Sequence, residues 1–284
     1  MSTPAPGTPC LAHYGVTVAE PPVADHELAT AAPGGRAGDG LAFLRWLGFE
    51  PLHTNLYANV GRQWILSRGR RGDAGYLERD LFTSFRAHAP GAGGPTPAVG
   101  DVVFRLPVDD PDATLAGLRE RGWAAPYLDR GDALFTAPDA AVYELAPITG
   151  DDAVDRTVSL WTDPATLERA VATWCEAFGF AVAAVDASFH GVARATVLRR
   201  TGPGPITLQL LTPLDGATLA PRVTDDIFAQ EGYPHFRLGA PDKAAALAAG
   251  EVVFPDTGDV SYVLVEGAYL ELVTLVDAPV AASA

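Results

Sequence analysis

Lysine is almost missing from this chain: Lys243 is the only one, and the other basic residues are arginines. Against 20 Lys+Arg stand 35 Asp+Glu, a formal net charge of −15, so the average field repels a phosphate backbone or an anionic membrane surface. Nucleic acid and membrane are therefore excluded as expected partners. Cysteine is equally scarce. Cys10 and Cys175 make no disulfide framework, and no CxxC pair exists. No apolar run reaches the length of a membrane span, and Met1 to Pro9 lacks the basic and apolar pattern of a secretory signal. A cytoplasmic location is expected. Also lacking are a GxGxxG fingerprint, a P-loop, a GxSxG elbow and an HExxH motif, and the Gly-rich run GAGGPTP reads as linker.

What the 284 residues do hold is globular composition, with 48% hydrophobic and 19% charged residues, enough for two domains of ordinary size. They also hold an internal repeat. Residues 156–180 open with alternating residues, Val158, Leu160 and Thr162 on one face and Thr157, Ser159 and Trp161 on the other. Asp163 and Pro164 then start a helix, as an N-cap and first-turn proline. Leu167, Ala170, Val171, Trp174, Cys175 and Phe178 form its apolar stripe, and Gly179 stops it. The same order recurs at 101–123, where Gly122 ends the helix, and at 235–250, ending at Gly250. A less regular copy begins at His13, carries a Pro/Gly/Ala-rich insertion at about 20–40, and continues into the helix DGLAFLRWLGF.

Short strands follow each helix: RQWILSRG, AVYELAPI, ITLQLLTP and AYLELVTL. The stretch 68–100 reads as a joining segment, with a helix over YLERDLFTSFRAH and then a linker. Four βαβββ modules result, an α+β class, with Glu144 and Glu271 at matching places in copies two and four. A boundary near residue 150 divides them into domains 1–150 and 151–284, each expected to form a cup from curved, mixed sheets.

HFRLGAPD with YLELV, APDAAVYELAPI, and the DP-helix-FGF run resemble the vicinal oxygen chelate superfamily over nearly the whole chain. That family includes glyoxalases, fosfomycin and bleomycin resistance proteins, methylmalonyl-CoA epimerases and extradiol dioxygenases. The resemblance implies a divalent metal (Fe, Mn, Zn or Ni) inside a cup, held from the first and last strands of a module. Carried over, it implies His13, Asp101 and Glu144 as ligands in the first half, with Gln63 as a fourth candidate. In the second half the matching positions are Thr157, Gln209, His235 and Glu271. Neither half matches a dioxygenase set of two His and one Glu, because Asp101 and Thr157 stand at ligand positions.

Strand parity puts His235 and Arg237 on one face and Phe236 and Leu238 on the other. Arg237 and Arg105 are candidates for clamping a substrate carboxylate or phosphate, or for neutralising a neighbouring acid. Trp161 is a candidate stacking wall or a core filler. Glu271 or Glu144 is the expected base. The expected activity is a metal-dependent lyase, isomerase or dioxygenase acting on a small oxygen-rich molecule. The alternative is a metal-free binding or sequestration protein. The partner is a small molecule, and the chain a monomer or homodimer.

Overall fold

The computed structural model describes residues 13–19, 32–57, 60–69, 77–84, 97–128, 134–148, 156–200, 206–221, 232, 234–254 and 260–274. Four modules run along the chain. The first has β1 (His13–Ala19), α1 (Gly35–Trp46), β2 (Glu50–Tyr57), β3 (Gly61–Arg68) and β4 (Leu77–Ser84). The second has β5 (Val102–Val108), α2 (Pro111–Glu120), β6 (Ala125–Pro126), β7 (Leu134–Thr136) and β8 (Val142–Pro147). The third has β9 (Thr157–Trp161), a 3₁₀ turn running into α3 (Leu167–Phe178), β10 (Ala181–Phe189), β11 (Ala193–Arg200) and β12 (Ile206–Pro213). The fourth has β13 (Pro234–Ala240), α4 (Lys243–Ala248), β14 (Glu251–Phe254), β15 (Val260–Val265) and β16 (Ala268–Thr274). This is the expected α+β class.

The helix starts behave as their sequences require. Asp110 accepts from the Ala113 N–H at 2.9 Å ahead of Pro111, and Asp163 accepts from Ala165 at 2.9 Å ahead of Pro164. Gly179 closes α3 at φ 73°, a conformation that costs any residue with a Cβ.

Two findings revise the sequence reading. The segment expected to be helical at 76–88 supplies β4 instead. Leu77 and Leu81 sit four apart, which mimics a helical stripe, but Leu77, Arg79, Leu81 and Thr83 share one face of a strand. Both faces of β4 are buried, including Arg79 and Asp80, so the usual apolar–polar alternation is absent.

The second revision concerns which modules pair. One sheet runs β14-β15-β16-β13-β1-β4-β3-β2 and the other β10-β11-β12-β9-β5-β8-β7-β6. Modules one and four thus share a sheet, joined by antiparallel β1–β13, and modules two and three share the other through β5–β9. The stretches 1–150 and 151–284 do not each carry a sheet of their own, and the boundary itself lies outside the described residues. A sequence repeat specifies a module and leaves its partner open, which is why the pairing was not legible.

The convex faces of both sheets and the helices bury one continuous core, which includes Tyr14, Leu44, Phe104, Leu118, Trp174, Phe236 and Leu270. Tyr14 and Phe104 meet across it at 5.0 Å between ring centroids. A buried polar contact also crosses this core. Arg79 of β4 donates to Asp139 at 3.2 Å and to the Tyr143 hydroxyl of β8, and lies over the Phe104 and Tyr143 rings. Asp139 also accepts from Tyr143 at 2.5 Å and from the Ala141 N–H at 3.1 Å. The Arg79 Nε and Nη1 atoms have no hydrogen-bond partner, so this pair is held by its surroundings and not by full satisfaction.

Candidate metal centre

On the concave face of the first sheet, three strands bring ligand-type atoms together. Asp80 (β4), His235 (β13) and Glu271 (β16) are all buried, and one ligand atom from each lies within 4.8 Å of the others. The register explains the convergence. Gly15 pairs with His235 on one side and with Asp80 on the other, and Arg237 pairs with Glu271. Since paired residues share a face, these side chains point into the same cup. The opposite parity of β13, Phe236 and Leu238, enters the core as expected.

Gly15 makes the arrangement sterically possible. A Cβ there would fall 1.8 Å from His235 Cε1 and 2.1 Å from Nε2, so the imidazole occupies the volume a side chain would fill. The ring also packs edge-on against Phe82 at 5.5 Å and Tyr269 at 6.3 Å.

Each carboxylate is oriented by donors. Glu271 accepts from Tyr262 Oη at 2.8 Å and from Arg237 Nε at 2.8 Å. Asp80 accepts from the Gln63 amide, whose oxygen accepts from Asn55 at 2.7 Å and Tyr57 at 3.1 Å. Burial works to lower the Arg237 guanidinium, but Glu271, Glu78 and Asp80 outweigh it and hold the group raised. Burial, with Asp80 and Glu271 nearby, pushes the Tyr57 hydroxyl up, and burial with Glu271 does the same to Tyr262. Both phenols therefore stay protonated donors at neutral pH.

The donor set suits a divalent ion. Imidazole with two carboxylates is accepted by Zn(II), Fe(II), Mn(II) and Ni(II), at roughly 2.0–2.2 Å per bond for zinc. Ligand atoms sharing one such ion in tetrahedral or facial geometry lie about 3–3.5 Å apart, so atoms within 4.8 Å of one another would draw together by up to about 1–2 Å on binding it. Two buried carboxylates with Arg237 as partner also leave a site receptive to positive charge.

The sequence-derived residues distribute unevenly around this centre. His235, Glu271 and Arg237 lie together. His13 opens β1 two residues before Gly15, and its side chain lies outside what is described; Gly15 occupies the register position that faces the centre. Gln63 is in the same cup, bonded to Asp80. Asp101, Glu144 and Arg105 belong to the second sheet and so do not join His13. Asp101 closes a turn, accepting from the Ala98 N–H at 2.8 Å. Gln209 also belongs to the second sheet, where it accepts from Ser159 at 2.9 Å, and it does not reach His235. Thr157 is buried at the start of β9, and Trp161 fills an apolar cluster with Phe189, Leu211 and Leu219. Asp80 was missed because its segment was read as a helix. The available signal was the mixture of charges in a β-compatible run between Gly-rich stretches.

The matching register of the second sheet aligns it with the first, residue by residue. There Ser159 pairs with Val103 and Gln209, and Arg105 with Glu144. Val103, Gln209 and Glu144 thus stand where the first sheet has His235, Asp80 and Glu271, and Arg105 stands for Arg237. Two of three donors are replaced, while the arginine–glutamate pair keeps its geometry, with Nε–Oε2 at 2.8 Å in both sheets.

No protein-family model and no curated protein matches the chain. Among solved structures it is similar to glyoxalase I from Zea mays, at 13% identity over 93% of this chain and 92% of that one, with a TM-score of 0.56. A single-substitution variant of the maize enzyme gives 0.59 at 13% identity, with 94% of each chain covered. At such identity the likeness carries the fold alone, and the chain shares the fold of maize glyoxalase I. None of the described helices is long and apolar enough to cross a membrane.

Proposed function

We propose that the protein is a metal-dependent enzyme acting on a small oxygen-bearing molecule, with Asp80, His235 and Glu271 as ligands. The observation that carries this reading is the convergence of three buried donors from three strands within 4.8 Å. A divalent ion bound there would supply Lewis acidity to charge developing on a substrate oxygen. The chain's own groups divide the remaining work. Gln63 orients the Asp80 carboxylate, and Arg237 with Tyr262 orients that of Glu271. Phe82 packs against the His235 ring and Tyr57 against Phe82 at 6.4 Å between centroids, which puts apolar and hydroxyl groups beside the centre. Glu271 remains the candidate base; Glu144 lies on the other sheet and does not serve this centre.

A second reading is a metal-free binding protein. Its support is that both Glu271 oxygens already have protein donors, as in a hydrogen-bonded cluster without an ion. Elemental analysis after incubation with Fe(II), Mn(II), Zn(II) and Ni(II) separates the two. About one equivalent of one ion, lost in Asp80→Asn and in His235→Ala, is expected for the enzyme. No retained ion under any condition rejects the metal reading in favour of the binding protein.

A further inference from the structure

Four polar side chains form one hydrogen-bonded network that runs from the rim of the first sheet to Asp80. His53 Nε2 lies 2.6 Å from Asn55 Oδ1, and Asn55 Nδ2 donates to Gln63 Oε1 at 2.7 Å. Tyr57 Oη donates to the same oxygen at 3.1 Å, and Gln63 Nε2 donates to Asp80 Oδ2. His53, Asn55 and Tyr57 all lie on β2, the strand at the end of the sheet. A bulge delivers them. Pro51 pairs with Leu66, a core residue, yet His53 pairs with Ile65, so Leu52 enters as one extra residue. Without that shift Leu52, Thr54 and Leu56 would take the face that now carries His53, Asn55 and Tyr57.

The direction of each bond is set at the inner end. A carboxylate only accepts, so the Gln63 atom facing Asp80 is the amide nitrogen. The Gln63 oxygen is thereby turned toward Asn55 and Tyr57, and both must donate to it. Asn55 then presents its oxygen to His53, which requires a proton on Nε2 of that imidazole. An amide whose oxygen accepts twice is polarised, and its N–H becomes a stronger donor to the carboxylate. Gln63 is only 6% exposed, so an amide turned the other way would lose these bonds with little water to replace them.

The second sheet is an internal control. Register counted from Ser159, the counterpart of Gly15, places Ala184, Ala187, Phe189 and Ala195 where the first sheet has His53, Asn55, Tyr57 and Gln63. None of these four side chains carries a hydrogen-bonding group. The network is thus missing from the sheet in which Val103 and Gln209 stand for His235 and Asp80. Donor set and network are present together in one cup and absent together from the other.

We propose that Gln63 is a positioning residue and not a fourth ligand: with Asn55, Tyr57 and His53 it holds the Asp80 carboxylate ready for the ion. This rests on the metal reading above and makes the centre one of three protein ligands. Such a centre keeps a position for water or a substrate oxygen, whereas a fourth side chain would move it toward a closed, structural site. Its affinity is then set partly from the rim of the sheet, by side chains that never touch the ion.

The test is cobalt(II) binding to the full chain at pH 7, with calorimetry for affinity, visible absorption for the ligand set, and a thermal melt of each metal-free variant. Gln63→Leu and Asn55→Leu are expected to bind about 10–100-fold more weakly than wild type while keeping the wild-type absorption bands, because the ligands are unchanged. Gln63→Glu separates the two roles. A ligand gains from the added charge, whereas a donor becomes an acceptor facing Asp80, so at least tenfold weaker binding is expected. Gln63→Glu binding as tightly as wild type, a Leu variant whose spectrum shows a lost ligand, or unchanged affinity in both Leu variants overturns the proposal. If Gln63→Leu does not fold, the half-buried Asn55→Leu carries the comparison beside Gln63→Glu. Wild type that takes up no cobalt(II), or no more than His235→Ala, rejects the metal reading, and the proposal falls with it. Uptake by wild type that His235→Ala loses upholds that reading, and the Gln63 and Asn55 variants then decide the proposal on their own.

Discussion

Replacing Gly15 by alanine tests the candidate metal centre without touching a single ligand. The new Cβ would lie 1.8 Å from His235 Cε1 and 2.7 Å from its Nδ1, far inside van der Waals contact. The nearest atoms belong to the end of a side chain and not to backbone, so the ring turns away before the sheet does. Overpacking of this kind costs about 1–3 kcal/mol. Replacing a strand glycine returns about 0.5–1 kcal/mol of backbone entropy. The net loss is therefore ~0–2.5 kcal/mol, or a drop of a few degrees in Tm for a chain of this size. Metal binding should suffer far more, because the imidazole leaves the position facing Asp80 and Glu271. Loss of outer-shell support alone typically costs 10–100-fold in affinity, and displacing a ligand should exceed that. The assay is metal content by elemental analysis alongside a thermal melt of metal-depleted protein. A Gly15→Ala protein that melts normally and retains a full equivalent of metal would show that His235 is not a ligand, and the reasoning would fail with it.

Three further outcomes follow from the contacts described. Arg79→Met should destabilise the fold by about 3–5 kcal/mol in denaturant titrations, since Asp139 would lose its buried cationic partner; a change under 1 kcal/mol would contradict the buried ion pair. Gly179→Ala should cost about 1–2 kcal/mol through its left-handed φ alone, because its Cβ meets only ordinary contacts such as Pro241 at 3.5 Å; an unchanged melt would mean the helix end relaxes. Glu144 has its carboxyl held low, so its contribution is fully present above the ordinary glutamate value of about 4.3 and disappears as pH falls through the lowered folded value. The stability gap between wild type and Glu144→Gln should accordingly be wide at pH 7 and narrow at pH 3, and a gap that widens on acidification would reverse the sign of the linkage.

The sequence made the modules legible because each carries its own punctuation. Asp110-Pro111 and Asp163-Pro164 open helices, Gly122 and Gly179 close them, and alternation marks the strands beside them. His235, Glu271 and Arg237 were reachable because they sit in the regular fourth module, where strand parity is unambiguous. Asp80 was not, for a physical reason: β4 is covered on both faces, and its charges are matched by tertiary partners that no local pattern announces. Which modules share a sheet was also hidden. That choice rests on close approaches such as Gly15 to His235, which depend on residues more than 200 positions apart. The placement of His13 shows the same limit on a smaller scale, since the facing position lies two residues on, at a glycine that offers no chemistry to notice.

The Arg79–Tyr143 contact has a consequence for both cups. Successive side chains on a strand point to opposite faces, so Arg79 is one peptide bond from Asp80 and Tyr143 is one from Glu144. The guanidinium–phenol contact is thus one of the links, with Arg79–Asp139 and Tyr14–Phe104, through which the two sheets meet across the core. A substitution that slides either strand along its neighbours would be transmitted to the carboxylate on the far side of the core. A strand shift in one sheet is therefore expected to be felt at the carboxylate of the other.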